Sequence, residues 1–170
     1  MKTSISYRHL ILAGLVWLMT LPGLHAQNKN NQKETAQTAA MEKMIAAKHF
    51  VFRAQSASPT GGKLIQLSYG FFLKFYGDTI ISYLPYYGQG HAPVLSGENK
   101  GIDFTSLSND YKTENRKKGG WDITLVPKDY DDVEKIFLTV FENGKTSVQV
   151  LSRSRSPISY DGFIEAPGNK

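Results

Sequence analysis

The sequence predicts a mainly β domain, an antiparallel sandwich or partly open barrel of about eight strands preceded by one N-terminal α-helix. Three observations carry this expectation. After Lys48 the chain runs in short segments rich in Phe, Tyr, Val, Ile and Thr, divided by Gly-, Pro- and Asn-bearing turns at hairpin spacing. Asn143-Gly144 stands between two such segments and is the strongest local hairpin signal. The one continuous stretch of good helix formers, Lys33 to Lys48, precedes them all.

Residues 1–26 read as a secretory signal peptide. Lys2 and Arg8 supply the charged start, Leu10 to Met19 the apolar run, Pro22-Gly23 the helix break, and Ala26 the small residue before the cut. The apolar run falls short of the ~20 residues a spanning helix needs, so no transmembrane span is expected once the signal is removed. The chain has no cysteine. This excludes disulfides, thiolate metal sites, a cysteine nucleophile and a lipidated N-terminus. The expected destination is the periplasm or the outside of the cell. Of the formal charge of +5, two cations leave with the signal. The remaining +3 is too weak to argue for a nucleic-acid partner. The 144 residues left by the cut suffice for one domain with its own core.

Gln27 to Gln32 is read as a disordered polar tether, and 33–170 as a single β domain with its helix. In the helix, Ala40, Met41, Met44, Ile45 and Ala47 form one stripe at helical spacing, suited to packing on the sheet or to a partner. Phe50 to Gln55 alternates as a strand. Ser58 to Gly62 turns the chain, and Ile65 to Tyr76 reads as one long aromatic strand with Gly70 as a bulge or close-approach point. Gly77-Asp78 is a tight turn and Thr79 to Leu84 the return strand, ended by Pro85. Ile102 to Thr105 and Asp110 to Asn115 are weaker strands, followed by the basic turn Arg116 to Gly120. Trp121, Ile123 and Leu125 then alternate onto one face. A type I′ turn at Asn143-Gly144 would set Thr139 opposite Val148 and Phe137 opposite Val150. Both faces of that hairpin carry apolar residues, which places it centrally in its sheet. Ile158 to Ile164 is the last strand.

The order of these segments, with Lys48 to Ala57, Ile81 to Gly88, Lys117 to Thr124, Phe141 to Gly144 and Pro157 to Ile164, resembles a family of exported proteins from Bacteroides-type bacteria. That family is known as a domain of unknown function (four-two-five-one). The resemblance covers nearly all of the chain beyond the signal. It implies Gram-negative export and a single-domain layout, and it carries no catalytic residues to transfer. Some relatives look like lipoproteins; this chain, without cysteine, departs from them.

Chemistry-bearing patterns are sparse. His49 lies at the helix–strand junction, where capping or packing suits it. His91 lies in a loop from Pro85 to Lys100 that is long for a compact β domain. The two form no metal-binding pair at helical spacing, and neither a metal nor a cofactor is expected. Tyr83, Tyr86 and Tyr87 offer flat amphipathic rings to a sugar, a peptide or a partner surface, or they cap the open end of the sheet. With His91 and Trp121 they form the candidate ligand-binding set. Asp129, Asp131, Asp132 and Glu134 crowd one turn but lack the glycine and spacing of a calcium loop. Asp129 is expected to cap a helical turn there. Arg116, Lys117 and Lys118 beside Trp121, and Arg153 with Arg155 before the last strand, are the basic features. Nucleophile and phosphate-loop signatures fail: no G-x-S-x-G, no S-x-x-K, and Gly61-Gly62-Lys63 is followed by Leu64. The expectation is a non-enzymatic envelope domain binding a ligand or partner at the tyrosine loop. The alternatives are a structural or stress-related envelope protein docking through its basic turn or helix, and a hydrolase built on His91 and a carboxylate of the acidic turn.

Overall fold

The computed structural model describes residues 24–88 and 101–168, with side chains from Thr35 onward. Two compact units divide at Thr35/Ala36. The described part of the first is helical. The helix, α1 (Leu24–Ala46), continues past that division, and every strand among the described residues belongs to the second unit. The signal peptide expected over 1–26 lies almost wholly outside the described residues. The tether expected at Gln27–Gln32 is corrected: it is helical, inside α1. Lys and Gln favour a helix about as well as Glu, and no Gly or Pro interrupts the run from Leu24 to Ala46, so the helix extends through the weaker asparagines. No helix among the described residues is long and apolar enough to cross a membrane.

Among the described residues ten strands follow: β1 (His49–Pro59), β2 (Ile65–Gln66), β3 (Phe72–Tyr76), β4 (Thr79–Pro85), β5 (Gly101–Ser106), β6 (Asn109–Asn115), β7 (Trp121–Pro127), β8 (Val133–Val140), β9 (Lys145–Ser152) and β10 (Ile158–Glu165). Nine pair antiparallel in the order β5-β4-β3-β1-β10-β9-β8-β7-β6, with β2 on β1. The two ends of this path, β5 and β6, are consecutive in sequence, with only Leu107-Ser108 between them. Alternating direction along the path gives both the same sense, so they read as one bent strand that pairs β4 with its first half and β7 with its second. The result is a nearly closed, barrel-like sheet, the partly open barrel expected from sequence.

Asp129 pins this corner. Its carboxylate accepts hydrogen bonds from the Ser106 hydroxyl and, at 2.7 Å, from the Leu107 amide. The Lys128 amide donates to Ser108 O at 2.8 Å. The turn is therefore not helical, and the helical cap expected for Asp129 is corrected to a bridge between strands. The Ser106 hydroxyl, with the Leu107 amide, holds the Asp129 carboxyl below its ordinary range. A carboxyl lowered on folding stabilises above its unfolded pKa of about 3.9, and that share vanishes as pH falls through the folded value. Asp129→Asn should thus be less stable than wild type at pH 6, with the gap closing as pH drops below about 4. Urea midpoints across that range measure it; a gap independent of pH would contradict the bridge.

The core lies on the inner faces, where Phe50, Phe52, Leu73, Phe75, Ile80, Ile136, Leu138 and Tyr160 are fully buried and fill the interior with side chains. Phe50 stacks on Phe75 at 4.3 Å between centroids, worth roughly 1 kcal/mol beyond its area. From α1, Ile45 is buried and Met41 and Met44 pack against the core, while Ala40, and Ala47 just past the helix end, stay exposed. The helix C-terminus is held by Tyr111, whose hydroxyl donates to Ile45 O at 3.2 Å; burial pushes this phenol up to about 12. Lys48 ends the helix in a left-handed conformation (φ 49°) and its ammonium pairs with Asp78 at 2.8 Å. His49, as expected, packs, with its ring edge-on to Tyr76 at 5.1 Å.

Two expectations about strands are corrected. Ile65 to Tyr76 is not one strand: β2 ends at Gln66 and β3 begins at Phe72. Gly70 (φ 114°) lets Ser68-Tyr69-Gly70 loop out, while Leu67 N and Phe71 O still bond β1. The β8–β9 hairpin is one residue out of the expected register, pairing Leu138 with Val148 and Ile136 with Val150. Asn143 does not take positive φ; Gly144 alone does, at 82°, and its amide donates to Phe141 O at 2.8 Å. That is a three-residue loop closed by glycine. A one-residue slip swaps faces. The observed register puts Ile136, Leu138, Val140, Val148 and Val150 together inside, and leaves Phe137 and Thr139 against Gln149 and Ser147 outside.

Candidate functional site

The tyrosines cluster where β4 ends. On β4, Tyr83 points outward by alternation between buried Ser82 and Leu84. Its ring stacks on Phe71 at 5.6 Å and leans on Phe72, its β3 partner, at 5.8 Å. Tyr83 remains 48% exposed and Tyr87 46%. Beneath Tyr83 a hollow of about 130 Å³ is lined by Phe71, Leu84, Pro85, Gly101 and Asp103.

Pro85 cannot continue the ladder as a donor, but its carbonyl accepts the Tyr160 hydroxyl at 2.7 Å, which fixes the chain as it leaves β4. Tyr86 then turns back to the protein. Its hydroxyl donates to Ser156 O at 3.0 Å, its ring lies under the Arg155 guanidinium at 5.3 Å, and burial raises its phenol. Arg155 is itself committed. It donates to Gly101 O at 2.7 Å and sits 3.4 Å from Asp132, whose carboxylate also takes the Ser154 hydroxyl. The acidic turn and the β9–β10 connection therefore brace the end of the barrel. Tyr130 stacks flat on Phe104 at 4.5 Å beside them.

Of the candidate set, the structure brings Tyr83, Tyr86 and Tyr87 to one end of β4, with Tyr83 and Tyr87 exposed and Tyr86 serving as their support. His91 lies outside the described residues. Trp121 does not join them: at 7% exposure it faces the core, with Ile123 and Leu125, because alternation along β7 turns all three inward. Arg155 is not a free cation, while Lys117 and Lys118 are exposed at the β6–β7 turn. Phe71, the platform for Tyr83, lies just after the Gly70 loop-out, so a continuous strand from Ile65 to Tyr76 does not reveal its role. Among the described residues, no three His, Asp or Glu side chains gather closely enough to hold a metal ion.

The family described as a domain of unknown function (DUF4251) matches residues 32–164. The chain belongs to that family. The fold is similar to the crystal structure of a DUF4251 family protein from Bacteroides eggerthii, with a TM-score of 0.58 and 15% sequence identity over 77% of this chain and 88% of that one. No curated protein matches the chain.

Proposed function

We propose that this DUF4251 family member is a non-enzymatic binding domain, exported to the periplasm by residues 1–26, that presents Tyr83 and Tyr87 to an envelope ligand or partner. The observation that carries the reading is a held aromatic surface. Two tyrosines are nearly half exposed at one barrel end, one of them stacked on Phe71, and Tyr86 between them is tied to Ser156 and Arg155. Rings already fixed lose little conformational freedom on binding, and Tyr joins a broad apolar face to a hydrogen-bonding tip. The interior supports a role at the surface, since the barrel core is occupied by Phe, Leu, Ile and Tyr side chains. Asp129, at the β5–β6 corner, and Asp132, beside Arg155, are used as bridges between strands and loops.

Thermal-shift screening of the domain against glycans, peptides and lipids should yield a ligand that raises Tm by a few degrees, since occupancy at a hundred times Kd adds about 2.7 kcal/mol. The control is Tyr83→Ala/Tyr87→Ala, not Tyr86, whose loss would disturb the support. A ligand that stabilises the double variant as much as wild type would place the site elsewhere.

A further inference from the structure

A second concavity shares no residue with the tyrosine surface. On the outer face of β10 and β9, a groove of about 420 Å³ is lined by Gln55, Phe141, Lys145, Ser147, Asp161 and Phe163. That volume lies within the range of small-molecule sites, about 300–1,000 Å³.

Local irregularities build it. The β1–β10 register shifts between Ala54 and Ser56, so Gln55 is the extra residue of a bulge, a device that bends a strand and re-aims a side chain. Opposite, Gly162 lets β1 and β10 approach so closely that a Cβ there would meet Arg53 O at 1.9 Å. At the other side the glycine-closed loop sets Phe141 and Lys145 across from each other, with the Lys145 amide bonded to Asn143 Oδ1 at 3.0 Å. Phe141 is steadied by the Arg116 guanidinium, 4.8 Å from its ring centre, and Arg116 pairs with Asp122 at 3.3 Å.

The groove thus holds two half-exposed phenyl rings, Phe141 at 43% and Phe163 at 37%, with an amide, an ammonium, a hydroxyl and a carboxylate between them. Among the described residues the side chains of Gln55, Lys145, Ser147 and Asp161 make no hydrogen bond or ion pair, whereas Lys48, Arg53, Lys112, Arg116, Lys128 and Arg155 each face a carboxylate. The one acid and the one base oppose a net charge of either sign on the ligand. Aromatic faces select an apolar ring face, and the four polar groups offer both donors and acceptors to hydroxyls. The groove lies on a sheet face and not at an open edge, which disfavours an added peptide strand.

We propose that this groove is a binding site for a neutral saccharide of one or two rings, stacked on Phe141 and Phe163 and hydrogen-bonded through Gln55, Lys145, Ser147 and Asp161. The test is an amide NMR titration of the exported domain with cellobiose, maltose and N,N′-diacetylchitobiose as probes, taken well above a millimolar Kd. At least one should shift the amides of Gln55, Lys145, Ser147 and Phe163 in a saturable way. Phe163→Ala and the near-isosteric Asp161→Asn should each weaken that binding about tenfold or more, about 1.4 kcal/mol. Tyr83→Ala/Tyr87→Ala should leave it unchanged, which separates this site from the one proposed at β4. Silence with all three sugars, shifts that map to Tyr83 and Tyr87, or affinity retained in both groove variants would overturn the proposal. All these positions are at the surface, and a dispersed amide spectrum confirms that each variant folds.

Discussion

Replacing Tyr160 with alanine is expected to lower the stability of the domain by about 3–5 kcal/mol, a large share of the 5–15 kcal/mol typical of a native domain. Tyr160 is fully buried on β10, between small Ala57 on β1 and Val148 on β9. Truncation would leave a ring-sized void in a sheet interior that has few ways to collapse. Its hydroxyl also donates to Pro85 O at 2.7 Å, and burial pushes the phenol upward, so it stays a neutral donor across the working pH range. Tyr160→Phe separates the two roles. It keeps the volume and removes the hydrogen bond, leaving Pro85 O without that donor, for about 1–3 kcal/mol. Urea midpoints at constant slope measure both. Because Pro85 follows Tyr83 on β4 and leads directly into Tyr86 and Tyr87, Tyr160→Phe should also weaken a ligand held at Tyr83 and Tyr87. An unchanged midpoint in Tyr160→Phe would show that the end of β4 does not depend on this bond.

Most of the architecture was legible because it follows from alternation, which a sequence displays openly. Trp121, Ile123 and Leu125 were expected on one face and are together inside. The same periodicity turns Trp121 inward, away from any surface site. What failed depended on single dihedrals or on partners distant in sequence. The hairpin register turned on whether Asn143 or Gly144 alone adopts positive φ, a difference that local composition does not resolve. The division of Ile65–Tyr76 turned on Gly70, seen as a bulge but not as a loop-out. The union of β5 and β6 into one bent strand was invisible, because it is set by β4 and β7 pairing to its two halves. At the candidate site the exposed tyrosines were readable as a cluster. The division of labour among them was not, since Tyr86 is fixed by Ser156 and Arg155, far along the chain.

Gly162→Ala is the second substitution with a large expected effect, about 3 kcal/mol or more, although it adds a single methyl group. The cause is close approach and not glycine's conformational freedom, because Gly162 is absent from the residues with positive φ. A Cβ at 162 would stand 1.9 Å from Arg53 O, 2.9 Å from Arg53 C and 3.1 Å from Phe52 Cε2. Two of these are backbone atoms in the middle of β1, so no side-chain rotation relieves the clash, and the strands themselves must part. β1 and β10 join the two halves of the sheet, and opening them strains the pairing from Val51↔Glu165 to Pro59↔Ile158. Gly168→Ala is the matched control: nothing lies within 4 Å of the added carbon, and a change within about 0.5 kcal/mol is expected. Because the parting would occur beside the Gln55 bulge, Gly162→Ala should also perturb the outer groove while leaving Tyr83 and Tyr87 in place. Equal urea midpoints for Gly162→Ala and Gly168→Ala would mean that β1 and β10 do not approach as described. A lowered midpoint for Gly162→Ala alone, with amide changes centred on Arg53 to Ser56, is the result this geometry requires.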